Sequence, residues 1–371
     1  MRPVRIAIVI ALTAVVYAVG ALAGVALFLI LLAFYATRVP VSALDWVVLE
    51  RKAPSRLFLG EAGQVEVIAK NDGRLPITWM AITDLIPFDL STRPLRWATS
   101  LASGETRRVS YGIVGHKRGA FRLGPSTAVS GDLFGWQPAQ RSFPSGPTVI
   151  VYPRIVPLQQ LGLPAVAPFP ELRNPLPLHE DPLRIVGVRP YQTSDSARRI
   201  HWTASAHHGS LLVTRLQHGF SRETMVLLDL SRGGMGTRSR PIELAVTTAA
   251  SVLYHIVTRE RLAAGLRLGE VHLDAATDDI HLMAMLEVLA VAGAHDFPPT
   301  GLLQPVGLPY GATLILITRR LGSDMKERLH VLRTRGWRPV VIVIDGEAVG
   351  DLPGIKVRAV TDDHSLAEVG G

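Results

Sequence analysis

The chain contains no cysteine, which excludes disulfides, thiolate nucleophiles and Cys-ligated zinc and fits a cytoplasmic setting. Lysine is scarce: Lys52, Lys70, Lys117, Lys326 and Lys356 are the whole set, so arginine carries nearly all the positive charge. No glycine run has phosphate-loop spacing followed by a helix start, and no internal repeat occurs. Neither a nucleic-acid-binding motif nor a helix interleaving aromatic and basic residues is present, so only a pI of about 10.1 points that way. What is there is a chain of 371 residues, enough for two or three domains, with 48% hydrophobic residues and a net charge of +8. The mean hydropathy of +0.26 is high for a wholly soluble protein, and the excess sits at the N-terminus. The charge fits attraction to anionic headgroups or to an acidic partner. It also fits a coding bias that replaces Lys by Arg, which the spread of arginines along the chain favours.

Residues Ile6 to Thr37 carry no charged side chain, well beyond the ~18 apolar residues that suggest a membrane span. Arg2 and Arg5 with Ala21-Leu22-Ala23 resemble a cleavable signal peptide. The apolar run Val25 to Tyr35 follows at once, however, and would stop transfer. One straight helix would be about 48 Å long against a hydrocarbon core of roughly 30 Å. Positive residues flank both ends, Arg2 and Arg5 before and Arg38, Arg51, Lys52 and Arg56 after. They place both ends in the cytoplasm, and residues 1–40 are expected to form a transmembrane hairpin turning near Gly20 to Gly24. A single tilted span is the alternative.

Residues 41–153 read as an all-β sandwich. Val65, Val67 and Ala69 alternate with Glu66, Ile68 and Lys70, and Asn71-Asp72-Gly73 supplies a hairpin-type turn. Thr78 to Thr83, Arg107 to Val114, Ala120 to Leu123 and Thr148 to Tyr152 are further strands, with Gly131 to Gly135 as a strand-turn element. Residues 154–222 combine a proline-rich linker (Pro157, Pro164, Pro168, Pro170, Pro175, Pro177) with a polar, aromatic segment. In residues 223–346, apolar strands (Thr224 to Leu230, Leu266 to Leu273, Thr313 to Thr318, Pro339 to Asp345) alternate with helical patterns (Ile242 to Arg261, Ile280 to Val291, Asp324 to Arg335). That alternation implies an α/β domain with a mostly parallel sheet. Residues 347–371 form a tail without clear periodicity.

The segment Gly187-x-Arg189-x-Tyr191, Asp195, Arg198-Arg199-Ile200-His201-Trp202, Ser205-Ala206 and Leu211-Leu212-Val213 fits no burial period before Leu211. It resembles the signature of the bacterial domain of unknown function 58 family. The Gly-Asp-Leu-Phe-Gly element at Gly131, the Val151 to Arg154 strand and the Asp-x-Ser strand end at Asp229 agree with that resemblance. The resemblance implies a membrane hairpin, a β-sandwich, a von Willebrand factor A-like C-terminal domain and a MoxR-type AAA+ ATPase as partner, and it implies no enzymatic activity. Ser194, where a Gly is usual, and Pro190, where a polar or acidic residue is usual, depart from the family pattern and bear on turn geometry.

A von Willebrand-type metal site needs Asp-x-Ser-x-Ser plus a Thr and a second Asp, because hard oxygens must converge on the cation. Here Asp229-Leu230-Ser231-Arg232-Gly233 lacks the third ligand, and Ile317-Thr318-Arg319-Arg320 puts arginine where the second Asp is expected. Asp229 and Ser231 are thus degenerate metal-site positions, with a nearby Arg expected to neutralise the carboxylate and no metal or other cofactor expected. Within the signature, three readings stay open. Asp195 and His201 could form an acid–base pair of a hydrolase-like enzyme, with Arg189 and Arg198 holding an anion. Arg189 or Arg199 could pair with Asp195 over packed Tyr191 and Trp202. Arg189, Tyr191, Asp195, Arg198, Arg199, His201 and Trp202 could instead form a docking surface. His207, His208 and His218 lack a metal-site spacing and read as surface residues. The expectation is a non-enzymatic, plasma-membrane-anchored interaction protein facing the cytoplasm, without a nucleic-acid or small-molecule ligand.

Overall fold

An apolar run with no proline between Pro3 and Pro40 folds as one helix, α1 (Arg2–Ala43), in the computed structural model. That model describes residues 2–90, 93–131, 138–163, 169, 180–193, 195–218, 223–232, 239–305, 307–308, 311–345 and 352–360. The Asp132 to Gly135 element, most of the proline-rich linker, Ser194 and the last eleven residues lie outside them. Within α1, Ile8–Phe34 has a mean hydropathy of 2.7 over 27 residues, none of it buried. The expected hairpin is thereby corrected to a single continuous helix. A glycine inside a helix costs only about 1 kcal/mol relative to alanine, so Gly20 and Gly24 weaken the turn without ending it. A reversal there would strand the backbone groups of two new helix ends in an apolar setting.

Two compact units follow by contact, Met1–Val151 and Tyr152–Gly371. Among its described residues the first holds the strands β1 (Val47–Lys52), β2 (Arg56–Phe58), β3 (Ala62–Asn71), β4 (Ile77–Asp84), β5 (Leu95–Leu101), β6 (Thr106–Val114), β7 (Gly119–Arg122), β8 (Ser126–Gly131), β9 (Pro138–Phe143) and, ending at the boundary, β10 (Thr148–Tyr152). They form sheets ordered β1-β3-β6, β2-β10-β7 and β5-β4-β8-β9. Val47 and Ala69 of the first sheet share one core with Met80, Ile82, Leu101, Ala128 and Phe143 of the last, a sandwich-like arrangement. Asn71-Asp72-Gly73 is not a hairpin turn, because β3 pairs with β1 and β6 and never with β4. Asn71 instead makes the corner between sheets. Fully buried, its Nδ2 donates to Leu75 O (2.8 Å) and Ala102 O (3.2 Å), while its Oδ1 accepts from Gly73 N (3.0 Å).

The second unit opens with an antiparallel ribbon, β11 (Glu180–Pro190) and β12 (Leu212–His218), around a short helix α2 (Trp202–His208). The stretch expected as linker therefore holds strands, whose bulged register hides the period-2 signal. Then come β13 (Thr224–Leu228), α3 (Ser239–Tyr254), β14 (Ala264–Leu268), β15 (Val271–Ala276), α4 (Asp279–Val291), α5 (Pro299–Leu302), β16 (Thr313–Thr318), α6 (Ser323–Thr334), β17 (Arg338–Ile344) and β18 (Lys356–Val360). The sheet runs β15-β14-β13-β16-β17-β18, parallel throughout except for β15. Every residue of β13 and β16 is buried, as a parallel sheet covered on both faces requires. Two expectations change here. Leu266 to Leu273 is two strands reversing at Gly269, whose φ of +56° favours glycine. The tail holds β18, whose Lys356 and Arg358 suit an edge strand and mask its alternation.

Candidate functional site

The signature segment is a mount built from side-chain bonds. Arg189, near the end of β11, meets Asp195 with both guanidinium arms, Nη1 to Oδ2 at 2.7 Å and Nη2 to Oδ1 at 2.6 Å. Gln192 N also donates to Asp195 Oδ2 (2.9 Å), closing the loop between them. These bonds, Arg189 first, hold the Asp195 carboxyl below its usual range, and the Arg199 charge adds to them. Arg189, not Arg199, is thus the bonded partner. His201 is the N-cap of α2, its Nδ1 accepting from Ala204 N (3.1 Å), and its own N–H donates to Leu212 O (2.8 Å). Ser205, buried, takes the Leu212 N–H on its Oγ (2.9 Å) and donates to His201 O (2.9 Å). Asp195 and His201 are therefore engaged in separate networks.

Tyr191 is half-buried and donates its N–H to Leu211 O (2.9 Å). Trp202 does not pack beneath the loop, as a structural role would have it: it is 67% exposed. It is the first residue of α2, where the helix has no preceding turn of its own to cover it. Arg198 and Arg199, on a single 3-10 turn (Ala197–Arg199), are exposed, as are His207 and His208. The side chain of His218 lies outside the described residues.

At the other sequence-predicted position, three groups converge at the carboxyl ends of β13 and β16, where the strand order reverses. Asp229, fully buried, receives Ser231 N (3.0 Å) and Ser231 Oγ (2.6 Å) on Oδ1 and Thr318 Oγ1 (2.7 Å) on Oδ2. The expected neutralising arginine is not among its partners. Arg232 instead reaches Asp296 (3.3 Å), and Arg320 supplies only its carbonyl, 3.0 Å from Thr318 Oγ1. Thr318 was not singled out by sequence, although it ends an apolar strand beside the Asp-x-Ser strand. Carboxylate and hydroxyl are the hard oxygens a divalent cation takes; here both carboxylate oxygens accept hydrogen bonds from Ser231 and Thr318, and among the described residues no group of three His, Asp or Glu side chains gathers.

A third cluster escaped sequence reasoning. Arg51 Nε meets Asp84 Oδ1 at 3.0 Å, with side chains 4% and 0% exposed. Ser126 Oγ bonds both partners, Tyr111 donates its hydroxyl to Asp84 Oδ2 (2.9 Å), and Arg51 Nη1 donates to Pro144 O (3.1 Å). Burial, with the Asp84 charge second, pushes the Tyr111 phenol far up. A Cβ on Gly146 would lie 2.9 Å from Arg51 Nη1, so only glycine leaves room for the guanidinium. Parity was the available signal: Arg51 continues the inward face of Val47 and Leu49, and Asp84 that of Met80 and Ile82.

Fold and site together define a mixed α/β protein with a long apolar N-terminal helix, a sandwich-like β domain and a doubly wound α/β domain behind a signature ribbon. Residues 187–365 match the family model described as protein of unknown function DUF58, which supports the family resemblance of that half of the chain. No curated protein matches. Among solved structures, the chain is similar to a CARDB domain from Pyrococcus furiosus (18% identity, 29% of this chain, 94% of that one, TM-score 0.21). It is also similar to a β-glucosidase from Listeria innocua (18%, 28% and 16%, TM-score 0.18) and to α2-macroglobulin from Escherichia coli (16%, 30% and 17%, TM-score 0.26). Scores this low assign no function.

Proposed function

We propose that this chain is a membrane-anchored, non-enzymatic interaction protein whose signature ribbon docks a protein partner. The observation that carries the reading is Trp202, 67% exposed on a helix fixed by the His201 cap and the Ser205–Leu212 bonds. An exposed tryptophan on a rigid mount loses little entropy on binding and is the residue type most enriched at interface hot spots. The separate engagement of Asp195 and His201 supports docking over acid–base chemistry. The DUF58 resemblance makes a MoxR-type AAA+ ATPase the partner of choice. The strand order and the buried β13 and β16 support a von Willebrand factor A-like reading of the α/β domain.

The apolar length of α1 supports a single membrane span, and Arg38, Arg51 and Lys52 outnumber Arg2 and Arg5. That bias supports a body in the cytoplasm at the plasma membrane, with the N-terminus across the bilayer. Affinity capture from membranes tests docking. Trp202→Ala is expected to lower partner recovery by tenfold or more, a loss of about 1.4 kcal/mol or greater. Recovery unchanged in both Trp202→Ala and Arg189→Ala, with both variants folded, would remove the basis for docking.

A further inference from the structure

The charge around Trp202 selects among partners. Across the whole chain 39 basic residues face 31 acidic ones. Between Gly187 and His218 the count is four arginines (Arg189, Arg198, Arg199, Arg215) to a single acid, Asp195. That acid offers an incoming cation nothing, since Arg189 occupies both its oxygens. Exposed among neutral polar residues of this stretch are the cations Arg198 and Arg199, Trp202 three residues on, and Leu211, 47% exposed beside the Tyr191–Leu211 backbone bond.

We infer that this face binds an acidic protein segment bearing an apolar side chain, with Arg198 and Arg199 pairing its carboxylates and Trp202 covering the apolar group. The inference rests on the docking reading and narrows it to a partner class. Guanidinium–carboxylate pairs give the charge-assisted, bidentate bonds for which arginine is suited, and the tryptophan supplies the desolvated anchor such pairs need beside them. Magnitude argues against the other anionic surfaces. Lipid recognition by charge uses clusters of roughly four to eight cations, and nucleic-acid binding a stripe of them along a groove. Two exposed arginines shortly before a tryptophan fall short of both, yet match one or two carboxylates on a protein.

The test uses the full-length protein in a neutral detergent and a fluorescein-labelled peptide of glutamate and alanine with one leucine, read by fluorescence anisotropy. The expected result is saturable binding that weakens about tenfold or more in Arg198→Glu/Arg199→Glu and falls as salt shortens the screening length from ~30 Å to ~8 Å. Trp202→Ala should weaken binding by a similar factor. Arg198→Gln/Arg199→Gln, which removes charge without reversing it, should give an intermediate loss. Circular dichroism checks that all variants fold. Equal binding of the lysine counterpart of the peptide, tighter binding of phosphatidylserine vesicles or oligo-dT, or an affinity untouched by charge reversal would overturn the inference. Membrane capture separates the two readings. Loss of the native partner in Trp202→Ala but not in Arg198→Glu/Arg199→Glu leaves docking standing and removes the acidic class, whereas loss in neither removes both.

Discussion

Two aspartates held by arginine behave differently because one is buried and the other is at the surface. Asp84, fully buried with Arg51, ties β4 to β1, and removing one partner of such a pair leaves a charge without compensation. Asp84→Ala is therefore expected to lower stability by about 3–5 kcal/mol in chemical denaturation. Tyr111 in the same cluster has its phenol raised, so its neutral form stabilises the fold below the ordinary tyrosine value, and that contribution is lost as pH rises above it. Tyr111→Phe should flatten the alkaline limb of the stability profile while costing about 1 kcal/mol at neutral pH. Asp195 carries the opposite sign. Its carboxyl sits below the ordinary value of 3.8, so the Arg189 bond is fully present at neutral pH and is lost as pH falls through that lowered value. Protection of the Gln192 amide, measured against its intrinsic exchange rate at each pH, should fall only in acid, and Asp195→Asn should remove that dependence.

At the scale of elements, α1 and the strand tips make the sharpest expectations. The absence of native cysteine gives a clean background for labelling. Pro3→Cys should react with a membrane-impermeant maleimide from outside intact cells and Asp45→Cys should not, whereas equal protection of both would restore the hairpin. At the β13–β16 tips, Thr318→Val withdraws a donor from a buried carboxylate and should cost about 1–3 kcal/mol. The elements legible in sequence were those whose burial is one-signed: β13, β16 and β17 are apolar runs because both sheet faces are covered, and β3 alternates because one face is. Those missed were governed by something periodicity does not encode. β18 carries charge as an edge, β11 is bulged, and Asn71 reads as a turn residue while serving as a buried corner. The site divided in the same way. Arg189 and Asp195 were legible as partners by charge and proximity in the chain, but the exposure of Trp202 was not, because an aromatic in a segment without a burial period reads equally as packed or exposed.

For the molecule as a whole, each compact unit has its own buried apolar core. Calorimetry should resolve two transitions, with Asp84→Ala lowering one by roughly 10 °C or more and Thr318→Val the other by about 2–10 °C. A single transition shifted by both variants would show that the units unfold together.

Where α1 enters the sandwich, Leu44 is buried in the β core and Arg141 Nη1 reaches three carbonyls within four residues: Leu44 O (2.9 Å), Asp45 O (2.6 Å) and Val47 O (2.9 Å). The junction has no swivel. In the anchored chain proposed above, any tilt or torque that the bilayer imposes on the helix is delivered to the sandwich as the motion of one lever, rather than dissipated in a slack tether.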